Sequence, residues 1–162
     1  MALDGLGASE SSGDSTRQSE GEFNLTFSDR RKIVLRSIKE RRGQQRFRQK
    51  LLRALGGECI ISGCRLVDLL EAAHIAPYLG ESDNHVSNGL LLRADLHTLF
   101  DLNLLAIDPR LFLVRLHPRI ASHGYDGLEG KKLSEQKIRA LSLPALEHRW
   151  SIFQDSFRSK SS

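Results

Sequence analysis

The sequence predicts a small α+β domain, and three observations carry that prediction. Apolar residues recur at helical spacing through the basic segments 28–42 and 44–55. Four apolar runs of strand length, 69–75, 89–93, 104–108 and 111–116, follow one another with turn signals between most of them. A chain of 162 residues that is 40% hydrophobic supports the core of one ordinary domain plus a tail.

Residues 1–22 carry five acids and one base and are rich in Ser and Gly. Such a segment cannot repay its ordering entropy, so it is expected to be a disordered tail. A single folded domain is assigned to 23–158, with 159–162 a second disordered end. The chain has no run of 18 apolar residues, and its first residues do not combine a basic start with an apolar stretch. These features predict neither a membrane span nor a secretory leader, and a cytoplasmic location without a membrane partner is expected.

The first helix is predicted over 28–42, with Ser28 as N-cap and Ile33, Val34, Leu35 and Ile38 on its apolar side. Gly43 interrupts. The second is predicted over 44–55, with Phe47, Leu51, Leu52 and Leu55 forming a stripe that Arg46, Arg48, Lys50 and Arg53 avoid. Gly56-Gly57 ends it. Residues 29–53 hold eleven Lys and Arg against two acids. An excess of nine positive charges in so short a stretch suits a polyanionic partner, and a solvated helix face is an equal reading of the charge alone.

Cys59 to Cys64 reads as a short strand turning at Ser62-Gly63. Residues 69–75 read as a strand ending before Pro77, and the polar, punctuated run 78–88 as a loop. The apolar run 89–93 predicts a buried strand, and 95–102 a short helix with Asp95 near its N-cap. LLAID at 104–108, the turn Pro109-Arg110 and LFLVRL at 111–116 predict a hairpin. A loose Gly-containing stretch follows. A last helix is predicted over 143–157, with Pro144 in its first turn. Leu99, Phe100 and the apolar side of the hairpin are expected in the core.

His74, Asn88 and His97 would then stand on three consecutive elements, at a strand end, a loop end and the first turn of a helix. Spacings of 14 and 9 residues let them converge. Imidazole suits general base work near neutral pH and also suits metal ligation. Asn before Gly is by itself a turn signal, so Asn88 has a plain structural reading as well.

The segment EAAHIAPYLGESDNHVSNGLLLRADLHTLFDLNLLAID, residues 71–108, resembles the HNH nucleases in the variant that reads A-H-I, then N-G-L-x-L, then L-H-x-L-F-D. GQQRFRQKLL and CIISGC upstream are similar to the same group, so the resemblance spans roughly 41–110. It implies a ββα-metal, treble-clef-like core at 59–102 with the basic helices before it and the hairpin and last helix after it. It implies a metal-dependent DNA endonuclease, related in appearance to restriction and defence nucleases. His74 would activate water, and a His97-bound divalent metal would stabilise the transition state and the leaving oxygen. Asn88 would hold the strand that carries His74. Mg²⁺ or Mn²⁺ is the expected cofactor, with Ni²⁺ or Zn²⁺ as alternatives given an imidazole ligand.

One departure stands out. Many such nucleases carry an Asp before the first His as a second metal ligand, and here that residue is Ala73. Asp101, one turn beyond His97, is the first replacement candidate, with Asp95 and Glu71 behind it. Arg41, Arg42, Arg46, Arg48 and Arg53 are expected on phosphates, and Arg93, beside the motif, near the scissile one. His85 is read as an exposed loop residue, and His117, His123 and His148 as surface residues. Cys59 and Cys64 resemble half of a zinc knuckle, but no other cysteine completes it, and two reduced buried thiols are expected.

Duplex DNA is the expected partner. Cutting both strands would call for two domains, as a homodimer or by successive nicking. A non-catalytic nucleic-acid-binding module on the same fold is the alternative, and Ala73 gives it weight. A ribonuclease is a third reading, and it lacks an aromatic stacking array for single strands.

Overall fold

The computed structural model describes residues 44–77 and 81–158. The tail at 1–22, the helix expected over 28–42, the boundary at 23, residues 78–80 of the expected loop and the end at 159–162 lie outside the described residues. What is described is an α+β unit with two small antiparallel sheets, each of two strands.

Helix α1 runs through 44–54. It turns Phe47 and Leu51 into the core, while Arg46, Lys50 and Arg53 stay exposed. The apolar stripe seen in the sequence is therefore the packed face, and the basic residues line the outside.

Cys59 to Cys64 forms a turn where a short strand was expected. Cys59 N–H donates to Cys64 O at 2.9 Å, and Gly63 N–H donates back to Cys59 O at 2.8 Å. Gly63 sits at φ +74°, a left-handed conformation that glycine adopts without strain. The segment bonds to itself, and Ile60 N–H reaches out to Leu91 O at 3.0 Å. Cys59 is buried and Cys64 half-buried, both as free thiols.

Strand β1, Leu70–His74, pairs antiparallel with β2, Gly89–Arg93, in a register that sets His74 opposite Gly89. β2 is buried through its apolar run because α1 covers one face and α2 the other. The connection holds two short 3-10 turns, Glu81–Asn84 and Val86–Asn88, where a plain loop was expected.

Gly89 is extended at φ −129°, so Asn88-Gly89 is the start of a strand and not a tight turn. The glycine is needed for close approach. A Cβ there would stand 2.6 Å from Phe47 and 2.7 Å from Leu51, which pack directly on its backbone.

Helix α2, Ala94–Asp101, follows β2 immediately and buries Leu96 and Phe100. Leu99 is half-buried against the same core. Arg93 is the N-cap residue and makes no side-chain cap, while Asp95 lies inside the first turn. The N-cap thus lies two positions before Asp95, whose carboxylate bonds Arg93 and Tyr125 instead.

β3, Leu105–Asp108, and β4, Leu113–Leu116, form the expected hairpin. Buried Asp108 closes its turn by accepting from Arg110 N–H and Leu111 N–H at 2.9 and 3.1 Å. The stretch read as loose is more ordered than its glycines suggest. It carries 3-10 turns at Pro118–Ile120 and Asp126–Leu128, a bridge from Lys132 to Leu113, and helix α3, Glu135–Arg139. Helix α4, Leu143–Arg158, packs Leu146 and Phe153 inward, chiefly against β3. No described helix is long and apolar enough to cross a membrane.

Candidate active site

His74 ends β1, and its ring stacks on Phe47 of α1 at 4.3 Å between centroids, only 13° from parallel. His74 Nε2 lies 2.9 Å from Asn84 Oδ1. An amide oxygen can only accept, so this contact calls for the ring proton on Nε2. Both of these contacts come from outside the strand, a face from α1 and an acceptor from the connection.

Asn88 acts on the backbone of that same connection. Its Oδ1 accepts from Ala76 N–H at 2.9 Å, and its Nδ2 donates to Asp83 O at 3.0 Å. Ile75 N–H donates to Asn88 O at 2.9 Å. These bonds pin the exit of β1 to the entry of β2 and to the turn bearing Asn84. Asn88 thus ties the backbone just after His74, at Ile75 and Ala76, to that of Asp83.

His97 sits in α2 between two carboxylates. Its Nδ1 lies 2.7 Å from Glu71 Oε2, and its Nε2 stands 3.2 Å from Asp101 Oδ2. Asp101 is also 3.8 Å from Arg149, which lies over the Phe100 ring and donates to Phe100 O. Burial pushes the Arg149 guanidinium below its ordinary value, with Asp101 opposing.

Strand alternation puts Glu71 and Ala73 on one face of β1. Ala73 is fully buried. Glu71 brings to that face the carboxylate that position 73 lacks. A groove of about 440 Å³ opens beside it, lined by Gln44, Gln45, Arg48, Glu71, Ala72 and His97.

A divalent ion can be tested against these donors. Nitrogen and oxygen ligands of one such ion at roughly 2.1 Å stand about 3.0–3.4 Å apart when adjacent in its shell. His97 Nε2 and Asp101 Oδ2, at 3.2 Å, match that edge. With Nδ1 taken by Glu71, the chain offers a pair of donors. Among the described residues no group of three or more His, Cys, Asp or Glu is placed to hold a metal. The pair fits an ion that completes its shell with phosphate and water oxygens.

The arginines divide. Arg46 and Arg53 are exposed on α1. Arg48 donates from Nε to Leu70 O at 2.8 Å and from Nη2 to Val67 O at 2.6 Å, tying α1 to the start of β1 at the groove wall. Arg93 forms a fork with Asp95 at 2.6 and 2.8 Å. That fork, with Tyr125 donating to Asp95 at 3.1 Å, holds the Asp95 carboxyl below its ordinary range. The Asp95 carboxylate is engaged by this network. Arg41 and Arg42 lie outside the described residues.

His85 is exposed and accepts from Ser87 N–H. His123 and His148 are exposed as expected. His117 is half-buried, caps the turn that follows it and stacks on Phe157. Phe47, Asn84 and the orienting contact of Glu71 were not legible as site features. Phe47 reads as one more core residue, and the polar run 81–88 offers several amides and carboxylates without distinguishing one.

The arrangement is a short hairpin with one histidine at its edge and a second on the helix after it. Residues 59–108 match the family model described as HNH endonuclease, so this stretch is similar to that family. The resemblance read from the A-H-I, N-G-L-x-L and L-H-x-L-F-D blocks is borne out by that match, which covers the Cys59–Cys64 turn, β1, β2, α2 and β3. No curated protein matches the chain.

Proposed function

We propose that the protein is a metal-dependent endonuclease that hydrolyses phosphodiester bonds of double-stranded DNA on a ββα-metal core. The observation that carries this reading is the complementary setting of two histidines. Each has one ring nitrogen bonded to an oxygen that can only accept, His74 Nε2 to Asn84 and His97 Nδ1 to Glu71. His74 Nδ1 is thereby assigned to proton uptake, and His97 Nε2 to ligation.

In the reaction His74 Nδ1 takes a proton from the attacking water, and the imidazolium keeps its Nε2–H on Asn84. Phe47 holds the ring plane during that change. Asn88 keeps the segment bearing His74 and the turn bearing Asn84 in fixed relation. His97 and Asp101 are the residues that would hold the divalent ion, Mg²⁺ or Mn²⁺, with Ni²⁺ or Zn²⁺ as further candidates. When bound, such an ion supplies positive charge to the phosphate and to the leaving 3′ oxygen. Arg46 and Arg53, with Arg41 and Arg42, would engage phosphates without reading sequence, and Arg48 would face the backbone from the groove wall. Arg93 joins them only by leaving Asp95. A double-strand break would need two such domains, as a homodimer or in successive nicks.

The test uses supercoiled plasmid with the wild type and His74→Ala across Mg²⁺, Mn²⁺, Ni²⁺, Zn²⁺ and EDTA at low salt. The expected result is metal-dependent nicking by the wild type, and a loss of at least about 100-fold in His74→Ala, which still shifts DNA. Binding by both proteins with cutting by neither under any metal would sink the nuclease reading and leave a nucleic-acid-binding module. Cleavage of RNA in preference to duplex DNA would sink the substrate assignment.

A further inference from the structure

Resting on that reading of His97, we propose that Glu71 is a positioning residue that fixes the ring proton of His97 on Nδ1, so that Nε2 presents its lone pair beside Asp101. The reason lies in a competition between two carboxylates. A neutral imidazole has one N–H and one lone pair. Glu71 Oε2 stands 2.7 Å from Nδ1, and Asp101 Oδ2 stands 3.2 Å from Nε2. Either carboxylate can accept the single proton, but only one outcome leaves a metal-binding edge. If Asp101 accepted it, Nε2 and the nearest Asp101 oxygen would be joined through a hydrogen, and both donor atoms of the pair would be occupied. The shorter contact decides for Glu71, because hydrogen bonds to a charged acceptor strengthen as they shorten.

Glu71 is placed to do this by the sheet. It lies on β1 opposite Leu92, on the strand face it shares with Ala73, and α2 crosses that face. At half exposure its side chain contributes little to the core, and the bond to His97 is the contact it makes across elements. Outer carboxylates that orient a ligating histidine commonly change metal affinity by about 10–100-fold when removed.

The experiment uses the full chain labelled with ¹⁵N, free of metal, at about pH 8.5, above the ordinary imidazole range. Imidazole ¹⁵N shifts and long-range proton couplings report which nitrogen of His97 is protonated. Mn²⁺ titration by calorimetry then gives the metal Kd of each variant. The wild type should show the Nδ1–H form. Glu71→Gln keeps the shape but can donate an amide N–H to Nδ1, so it should move the proton to Nε2, onto Asp101. Glu71→Ala should do the same by default. Both should raise the Mn²⁺ Kd by about 10–100-fold.

A wild-type His97 protonated on Nε2 overturns the proposal. So does Glu71→Ala with an unchanged ring, whatever happens to Kd, since Glu71 would then act as a direct ligand or not at all. In either case a wild type that nicks plasmid leaves the nuclease reading standing. A wild type that neither binds Mn²⁺ nor nicks removes both.

Discussion

At the scale of single residues, the site works through atoms whose partners admit one direction of hydrogen bonding. Asn84 Oδ1 and Glu71 Oε2 can only accept, and each thereby decides which nitrogen of its histidine is protonated. Asn84 is the more exposed to test, because nothing in the sequence marks it. Asn84→Ala frees the His74 ring to take either tautomer. It should lower kcat by about 10-fold with KM for plasmid unchanged, read from nicking rates, since substrate contacts are untouched. Asn84→Ala acting on KM alone would place Asn84 on the substrate and not on the base. Asn88 makes a different prediction. Its amide bonds join Ala76 and Asp83 across the connection, so Asn88→Ala should destabilise the fold by about 1–3 kcal/mol in urea melts as well as slow cleavage. Full stability with lost activity would instead make Asn88 a participant in the chemistry.

At the scale of elements, the decisive contact is α1 against the hairpin. Phe47 and Leu51 press on Gly89, and Phe47 also carries the His74 ring. One helix therefore sets both the spacing of the sheet and the plane of the base. Gly89→Ala must push both side chains away, and the expected cost is about 1–3 kcal/mol of stability. Because Phe47 moves, nicking should fall by more than the unfolded fraction accounts for. An active, fully stable Gly89→Ala protein would show that α1 is looser on the hairpin than its packing implies. The Arg93–Asp95–Tyr125 network gives a pH prediction for the joint between β2 and α2. The Arg93 fork, then Tyr125, holds the Asp95 carboxyl low. A carboxyl lowered on folding adds stability that is full above the ordinary carboxylate range and is lost as pH falls through the folded value. Thermal melts of Asp95→Asn should therefore lie below wild type at neutral pH and converge with it below about pH 4. The effect is modest because both partners are more than a third exposed. Parallel melting curves across that range would remove Asp95 as the titrating group.

At the scale of the whole molecule, α4 returns from the end of the described chain to the helix that carries His97. Arg149 lies half-exposed at most, stacked on Phe100, donating to Phe100 O and facing Asp101. It closes the C-terminal end of α2, where a positive charge also suits the helix dipole. Arg149→Met keeps the apolar stem over Phe100 and removes the charge. It should cost about 1.5–3 kcal/mol in urea melts, through Phe100 O left without its charged donor. If α4 only covered the core, Arg149→Met would melt with the wild type.

The sequence by itself determined the α+β class, the order of α1, β1, β2, α2, β3, β4 and α4, and the nuclease resemblance. Those are carried by local signals: helical spacing in 44–55, a strand-length apolar run at 89–93, and the A-H-I, N-G-L-x-L and L-H-x-L-F-D blocks. Strand 89–93 is legible because an apolar run bounded by Asn-Gly and a helix start has few other ways to be buried. The turn at Cys59–Cys64 was misread as a strand because its bonds close within six residues, and helix α3 was missed because five residues give too short a period to detect. His74, Asn88 and His97 could be named from spacing. Only the tertiary structure decided what each of them faces. Asn84, Phe47 and Glu71 reach their histidines from other elements, at separations of 10 to 27 residues, and Arg149 reaches Asp101 from 48 residues away. A local pattern carries no information about such pairs, because they form only when packing of apolar faces fixes which elements cross. Which histidine nitrogen holds its proton is set by those crossings.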